Sequence, residues 1–98
     1  MLINEQSLAL HEAVEQMGYS SVEDFALIQA RQQLLQEINI CMSNIEKLER
    51  KYGVDYADFC KGFQKLTQSI FEKEDDSAEW NAELKQLGIL QKRLARLA

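Results

Sequence analysis

Apolar residues at Leu34, Ile38, Cys41, Ile45, Leu48 and Tyr52 recur with 4-3-4-3-4 spacing, and no other feature constrains the fold as much. A row of that period lines one side of a helix and asks for a second helix to lie along it with a left-handed twist. The helix that carries it is bracketed at both ends. Ser20-Ser21-Val22-Glu23-Asp24 offers serine caps with an acid three residues after Ser21, the pattern that closes a helix start. Lys51-Tyr52-Gly53 puts a glycine where a helix needs a left-handed residue to finish. The expected helix therefore runs from Val22 to Tyr52.

Such a helix is roughly 45 Å long at 1.5 Å per residue, whereas a compact domain of this length is only about 30 Å across. Either the chain is an elongated hairpin or a second chain covers the overhang. A second apolar row, Phe25, Ile28, Leu35 and Met42, runs beside the seam. An exposed apolar row is a liability, so the expectation is a two-fold homodimer with those four residues as the oligomer interface.

Proline is absent, glycine occurs four times, and strong helix formers dominate the 98 residues. The class is all-α in a single domain spanning residues 1–98: a long antiparallel helical hairpin with short N-terminal and C-terminal helices. The first helix is expected from Asn4, its cap, to about Met17, with Gly18 ending it. After Gly53, Asp55 can cap a third helix starting at Tyr56. Tyr56, Phe59, Phe63, Leu66 and Ile70 repeat at 3-4-3-4 spacing, so this helix is the expected partner of the seam, with Gly62 inside it. Like-charge repulsion predicts a break across Phe71 to Ser77, with Asp75, Asp76 or Ser77 capping a last helix over Ala78 to Leu97. The alternative is one helix from Tyr56 to the end.

Charge and chemistry narrow the function. Between Glu72 and Glu83 there are six acids and one base, and the rest of the chain balances. No basic stretch stands ready for nucleic acid. No apolar run is long enough to span a membrane and no secretion signal is legible at the start. Cys41 and Cys60 lack a CxxC arrangement and sit at core-like positions, which fits free thiols in a reducing, cytoplasmic setting, a disulfide being the alternative. His11 has no ligand-bearing or catalytic neighbours at helical spacing and reads as a surface residue. There is no phosphate loop, nucleophile elbow or metal cluster, so neither enzyme activity nor a cofactor is expected.

The acidic joint is a solvated, helix-capping segment or a contact for a basic protein. In the second case the partner-binding residues are Phe71, Glu72, Glu74, Asp75, Asp76, Glu79 and Trp80. An aromatic rimmed by charge is a common interface anchor; Trp80 reads equally as a core residue.

Several stretches together resemble a group of small bacterial and archaeal helical proteins of antitoxin-like type. They are Gly18-Tyr19-Ser20-Ser21-Val22-Glu23-Asp24-Phe25-Ala26-Leu27, Ala30-Arg31-Gln32-Gln33-Leu34-Leu35, and Glu49-Arg50-Lys51-Tyr52-Gly53-Val54-Asp55-Tyr56-Ala57-Asp58-Phe59. The run Phe71-Glu72-Lys73-Glu74-Asp75-Asp76 ahead of Trp80 completes the set. The resemblance implies a non-catalytic partner-binding protein, the neutralising half of a toxin–antitoxin pair. It supplies no catalytic residue, and the lack of a basic N-terminal arm speaks against direct DNA binding.

Overall fold

The computed structural model of the protein describes residues 3–98, and every regular element in that span is helical. Helix α1 covers Asn4–Gln16, α2 covers Val22–Tyr52 and α3 covers Tyr56–Lys61; a 3-10 turn at Phe63–Lys65 precedes α4, Ile70–Arg96. Helix α4 returns along α2 in the opposite direction, since Arg31 meets Leu97 at one end while Lys51 and Tyr52 meet Asp76 at the other. The molecule measures 64 × 23 × 19 Å with a radius of gyration of 20.7 Å, against about 13 Å for a compact domain of this length. The single chain is elongated, with its two long helices side by side.

Helix α2 has the bounds its caps dictate. The Ser21 hydroxyl accepts the Asp24 N–H at 2.9 Å, and Gly53 takes φ 72° while its N–H donates to the Glu49 carbonyl. The left-handed conformation is one that only glycine adopts at no steric cost. Along the seam Ile38, Cys41, Ile45 and Leu48 are buried, and Leu34 and Tyr52 pack at its margins. Opposite them on α4 lie Trp80, Leu87, Leu90 and Leu94. Arg31 closes the far end by donating to the Leu97 carbonyl, 2.8 Å from its Nε, which satisfies an orphan acceptor at the end of α4.

Helix α1 ends as expected, with Gly18 at φ 96°. Its cap differs. Asn4 is the first helical residue and Ile3 holds the cap position; the Gln6 side chain reaches back to accept the Ile3 N–H at 3.2 Å. Among the α1 residues Val14 is buried.

The second half of the hairpin corrects the sequence reading. Helix α3 stops at Lys61, so Tyr56 to Ile70 is not a seam helix, and Gly62 terminates α3 instead of lying within it. No break occurs across Phe71–Ser77. Helix α4 starts earlier, at Ile70, where the Ser69 hydroxyl accepts the Glu72 N–H at 3.1 Å. The acids that suggested a break occupy the first turns of α4, where the helix dipole favours negative charge. Neither the expected last helix, Ala78–Leu97, nor one helix from Tyr56 onward is the arrangement found.

The connector still fills a core. Phe59 is fully buried against Trp80, with ring centroids 5.2 Å apart. Tyr52 and Tyr56 flank the pair, and Phe63 meets Phe59 edge-on at 5.6 Å. Lys73, 6% exposed, holds the irregular segment: its Nζ donates to the Phe63 carbonyl at 2.8 Å and lies over the Phe63 ring. A buried ammonium needs such partners, because an unpaired one is strongly disfavoured.

Trp80 joins both long helices to the connector, so Trp80→Ala should cost about 3–5 kcal/mol. Urea denaturation followed by circular dichroism is expected to show a matching fall in the unfolding midpoint; a loss under about 1 kcal/mol would mean the cluster is not the anchor of this end.

Candidate functional site

The acidic N-terminal end of α4 carries the residues expected to bind a partner, and the structure divides them. Phe71 is 78% exposed and projects from the first turn. Glu72, Glu74, Asp75 and Glu79 are exposed, and Glu74, Asp75 and Glu79 join no ion pair among the described residues. Trp80 is 1% exposed. It is a core residue and has no surface to offer a partner, which corrects its placement among the interface anchors. At about 100° per residue, one step from Glu79 or nine from Phe71 carries the helix surface round to the side that faces α2.

Asp76 is committed within the chain. Lys51 Nζ donates to its Oδ2 at 2.7 Å and the Tyr52 hydroxyl donates to the same atom; Lys51 also lies 3.6 Å from Glu72. Burial pushes the Asp76 carboxyl upward, but the bonds from Lys51 and Tyr52 together outweigh it and hold the group below the usual carboxylate range. Burial and then the bond to Asp76 push the Tyr52 phenol up. The same bond raises Lys51. This trio fastens the end of α2 to α4 and leaves the free surface to Phe71 and its exposed acids.

The residues expected to form an oligomer interface also divide. Phe25 and Ile28 are half-buried, with Tyr19 edge-on against Phe25 at 5.1 Å. Leu35 and Met42 are 48% and 51% exposed. Met42 lines an open groove of about 450 Å³ together with Ile45, Leu84 and Leu87.

The thiols differ from one another. Cys41 is buried in the seam, where burial, followed by the neighbouring Glu83 carboxylate, pushes its pKa up and keeps it protonated. Cys60 is exposed, against the expected core position, because α3 turns its other side, bearing Phe59, inward. The two are free cysteines. His11 is exposed and its Nδ1 donates to the Ser7 carbonyl at 2.7 Å. No group of three or more His, Cys, Asp or Glu side chains gathers at metal-binding distance among the described residues. Among those residues, no helix is long and apolar enough to cross a membrane.

The surface therefore offers an exposed aromatic among unpaired carboxylates on a rigid helix. Chemically it can attract and orient a cationic surface, since unpaired surface charge speeds encounter with a complementary partner. Reasoning from sequence missed the hold of Lys51 and Tyr52 on Asp76 and two contacts to backbone, Arg31 to Leu97 and Lys73 to Phe63; the latter leave no periodic trace, because each joins a side chain to a carbonyl. No family model matches the chain, and neither a curated protein nor a solved structure shows significant similarity to it.

A carboxylate held low in the folded state stabilises the fold above its unfolded pKa, near 3.9, and that contribution is lost as pH falls through the lower folded value. Acid titration of the urea midpoint is therefore expected to drop below about pH 4, and Asp76→Asn should flatten that limb. An unchanged limb in the variant would assign the acid sensitivity to other groups.

Proposed function

We propose that this is a non-catalytic protein-binding module of antitoxin-like type that engages a small basic partner through the acidic start of α4. The observation that carries the reading is Phe71, 78% exposed beside Glu72, Glu74, Asp75 and Glu79. With Ile70, 56% exposed beside it, Phe71 forms a small apolar spot ringed by acids, and an aromatic so placed can anchor an interface. The stretches that resemble antitoxin-like proteins point to the same kind of role. In this reading the protein works in a reducing cytoplasm, where Cys41 and Cys60 remain thiols, and reaches nucleic acid only through its partner.

The second reading is a self-associating helical scaffold, a homodimer first of all. What favours it is the accessible surface of 7413 Å², against about 5,700 Å² for a compact monomer of this mass. The excess exceeds the roughly 800 Å² that each partner gives to an ordinary interface.

Co-expression with the product of the adjacent gene tests the first reading. A small basic protein is expected to co-purify, and Phe71→Asp should weaken the complex about 30-fold, the equivalent of ~2 kcal/mol for a hot-spot aromatic, with helicity unchanged. If no neighbour encodes a basic protein and nothing co-purifies, the binding-module reading fails.

A further inference from the structure

We propose that the outer face of α4 is self-complementary and that its resting occupant is a second copy of this chain, laid antiparallel about a two-fold axis between Glu83 and Leu84. The inference rests on the reading that Phe71 and its acids bind a protein, and it names that partner before any other protein arrives.

The observation is a division of charge along one exposed face. Glu74, Asp75 and Glu79 are the exposed acids of its first half that no cation among the described residues holds; from Leu84 to Arg96, α4 carries Lys85, Lys92, Arg93 and Arg96 and no acid. Both ends are unspent: Glu74, Asp75, Lys92, Arg93 and Arg96 are exposed and join no ion pair among the described residues. They lie opposite the stripe that Trp80, Leu87 and Leu90 turn toward α2. That outer face has a mixed central row. Phe71, Asp75, Ala78, Ala82, Lys85, Ile89, Lys92 and Arg96 line it at 4-3-4-3-4-3-4 spacing, apolar at Phe71, Ala78, Ala82 and Ile89 and charged at the other four.

A two-fold contact is isologous, so residue i faces j and j faces i. One antiparallel register matches this face with itself. It sets Asp75 against Lys92 and Phe71 against the Arg96 guanidinium, an ion pair and a cation over an aromatic ring. It sets Ala78 against Ile89, small against large, as interdigitating layers require. In the same register Ala82 meets Lys85. Each contact occurs twice, so two ion pairs, two cation–aromatic contacts and two apolar layers form together. Ile89 is 45% exposed and Phe71 78% exposed in the single chain, and this pairing covers both. A parallel arrangement would put acid on acid and base on base.

The pairing has a regulatory consequence. The surface offered to a basic protein is the surface that the second copy covers, so partner capture and self-association compete.

Sedimentation velocity on the full chain and on charge variants tests this. The wild type should be a dimer at micromolar concentration, weakened by salt. Asp75→Lys and Lys92→Asp each turn two attractive pairs repulsive and should each weaken the dimer about tenfold or more. An equimolar mixture of the two variants should form a heterodimer, because the lysine introduced at position 75 of one chain then faces the aspartate introduced at position 92 of the other. Circular dichroism checks that these exposed substitutions leave helicity intact. A monomeric wild type overturns the proposal. So do variants that dimerise undiminished, a mixture that stays monomeric, or a dimer lost in Met42→Asp but kept in Asp75→Lys. The two readings separate on Lys92→Asp: a monomer that captures the basic partner better supports both. One that captures nothing leaves self-pairing standing and removes the partner, and a monomeric wild type that captures the partner removes self-pairing alone.

Discussion

The contact of Ile38, Cys41, Ile45 and Leu48 on α2 with Trp80, Leu87 and Leu90 on α4 governs the rest of the molecule. Two helices laid side by side can each bury only one stripe, and the remaining faces stay in water. Burial is therefore confined to a line. The line must be held at its ends, because a fraying helix pair loses its contacts in order. Arg31 binds the Leu97 carbonyl just past α4 at one end, and Lys51, Tyr52 and Asp76 fasten the other. Those four side chains also set the register, which a heptad seam alone specifies only to within a slip of seven residues.

The connector from Gly53 to Ser69 turns this line into a small core at one end. A glycine with positive φ and an aspartate cap turn the chain sharply, and α3 is just long enough to present Tyr56 and Phe59 to Trp80. Between α3 and α4 the backbone is mostly irregular, and irregular backbone leaves carbonyls without partners. Lys73 answers that need from the first turn of α4 with a buried ammonium whose partners are a carbonyl and a ring face. The aromatic cluster and the lysine together explain why α4 can begin two turns before the point that its acidic run suggests.

The legible part of the fold was the part written as repetition and caps. Helix α2 could be bounded from Ser21 and Gly53 because each of those residues does one thing that few others can. The repeat Tyr56, Phe59, Phe63, Leu66 marked side chains that do pack on the Trp80 cluster, yet it did not mark a continuous helix, since apolar spacing records which side chains go inward and not the path between them. The start of α4 has a trace in the sequence, Ser69 three residues before Glu72, which the charge argument for a later start does not use. At the candidate surface the exposed acids and Phe71 were readable from charge and position. The fate of Trp80 was not, because it depends on Phe59 and Tyr52 arriving from elsewhere in the chain.

The two cysteines record the state of the hairpin from opposite sides of its packing. Cys60 stands in solvent on α3, while Cys41 lies in the seam, protonated and shielded by burial and by Glu83. A thiol reagent meets the first at the rate of an open side chain and the second only when α2 and α4 part. The logarithm of the ratio of those two rates, times RT, measures the free energy of the opening that exposes Cys41. A second copy or a partner on the outer face of α4 would register in that ratio without touching either sulfur, which gives the chain an internal gauge of how firmly its helices are held together.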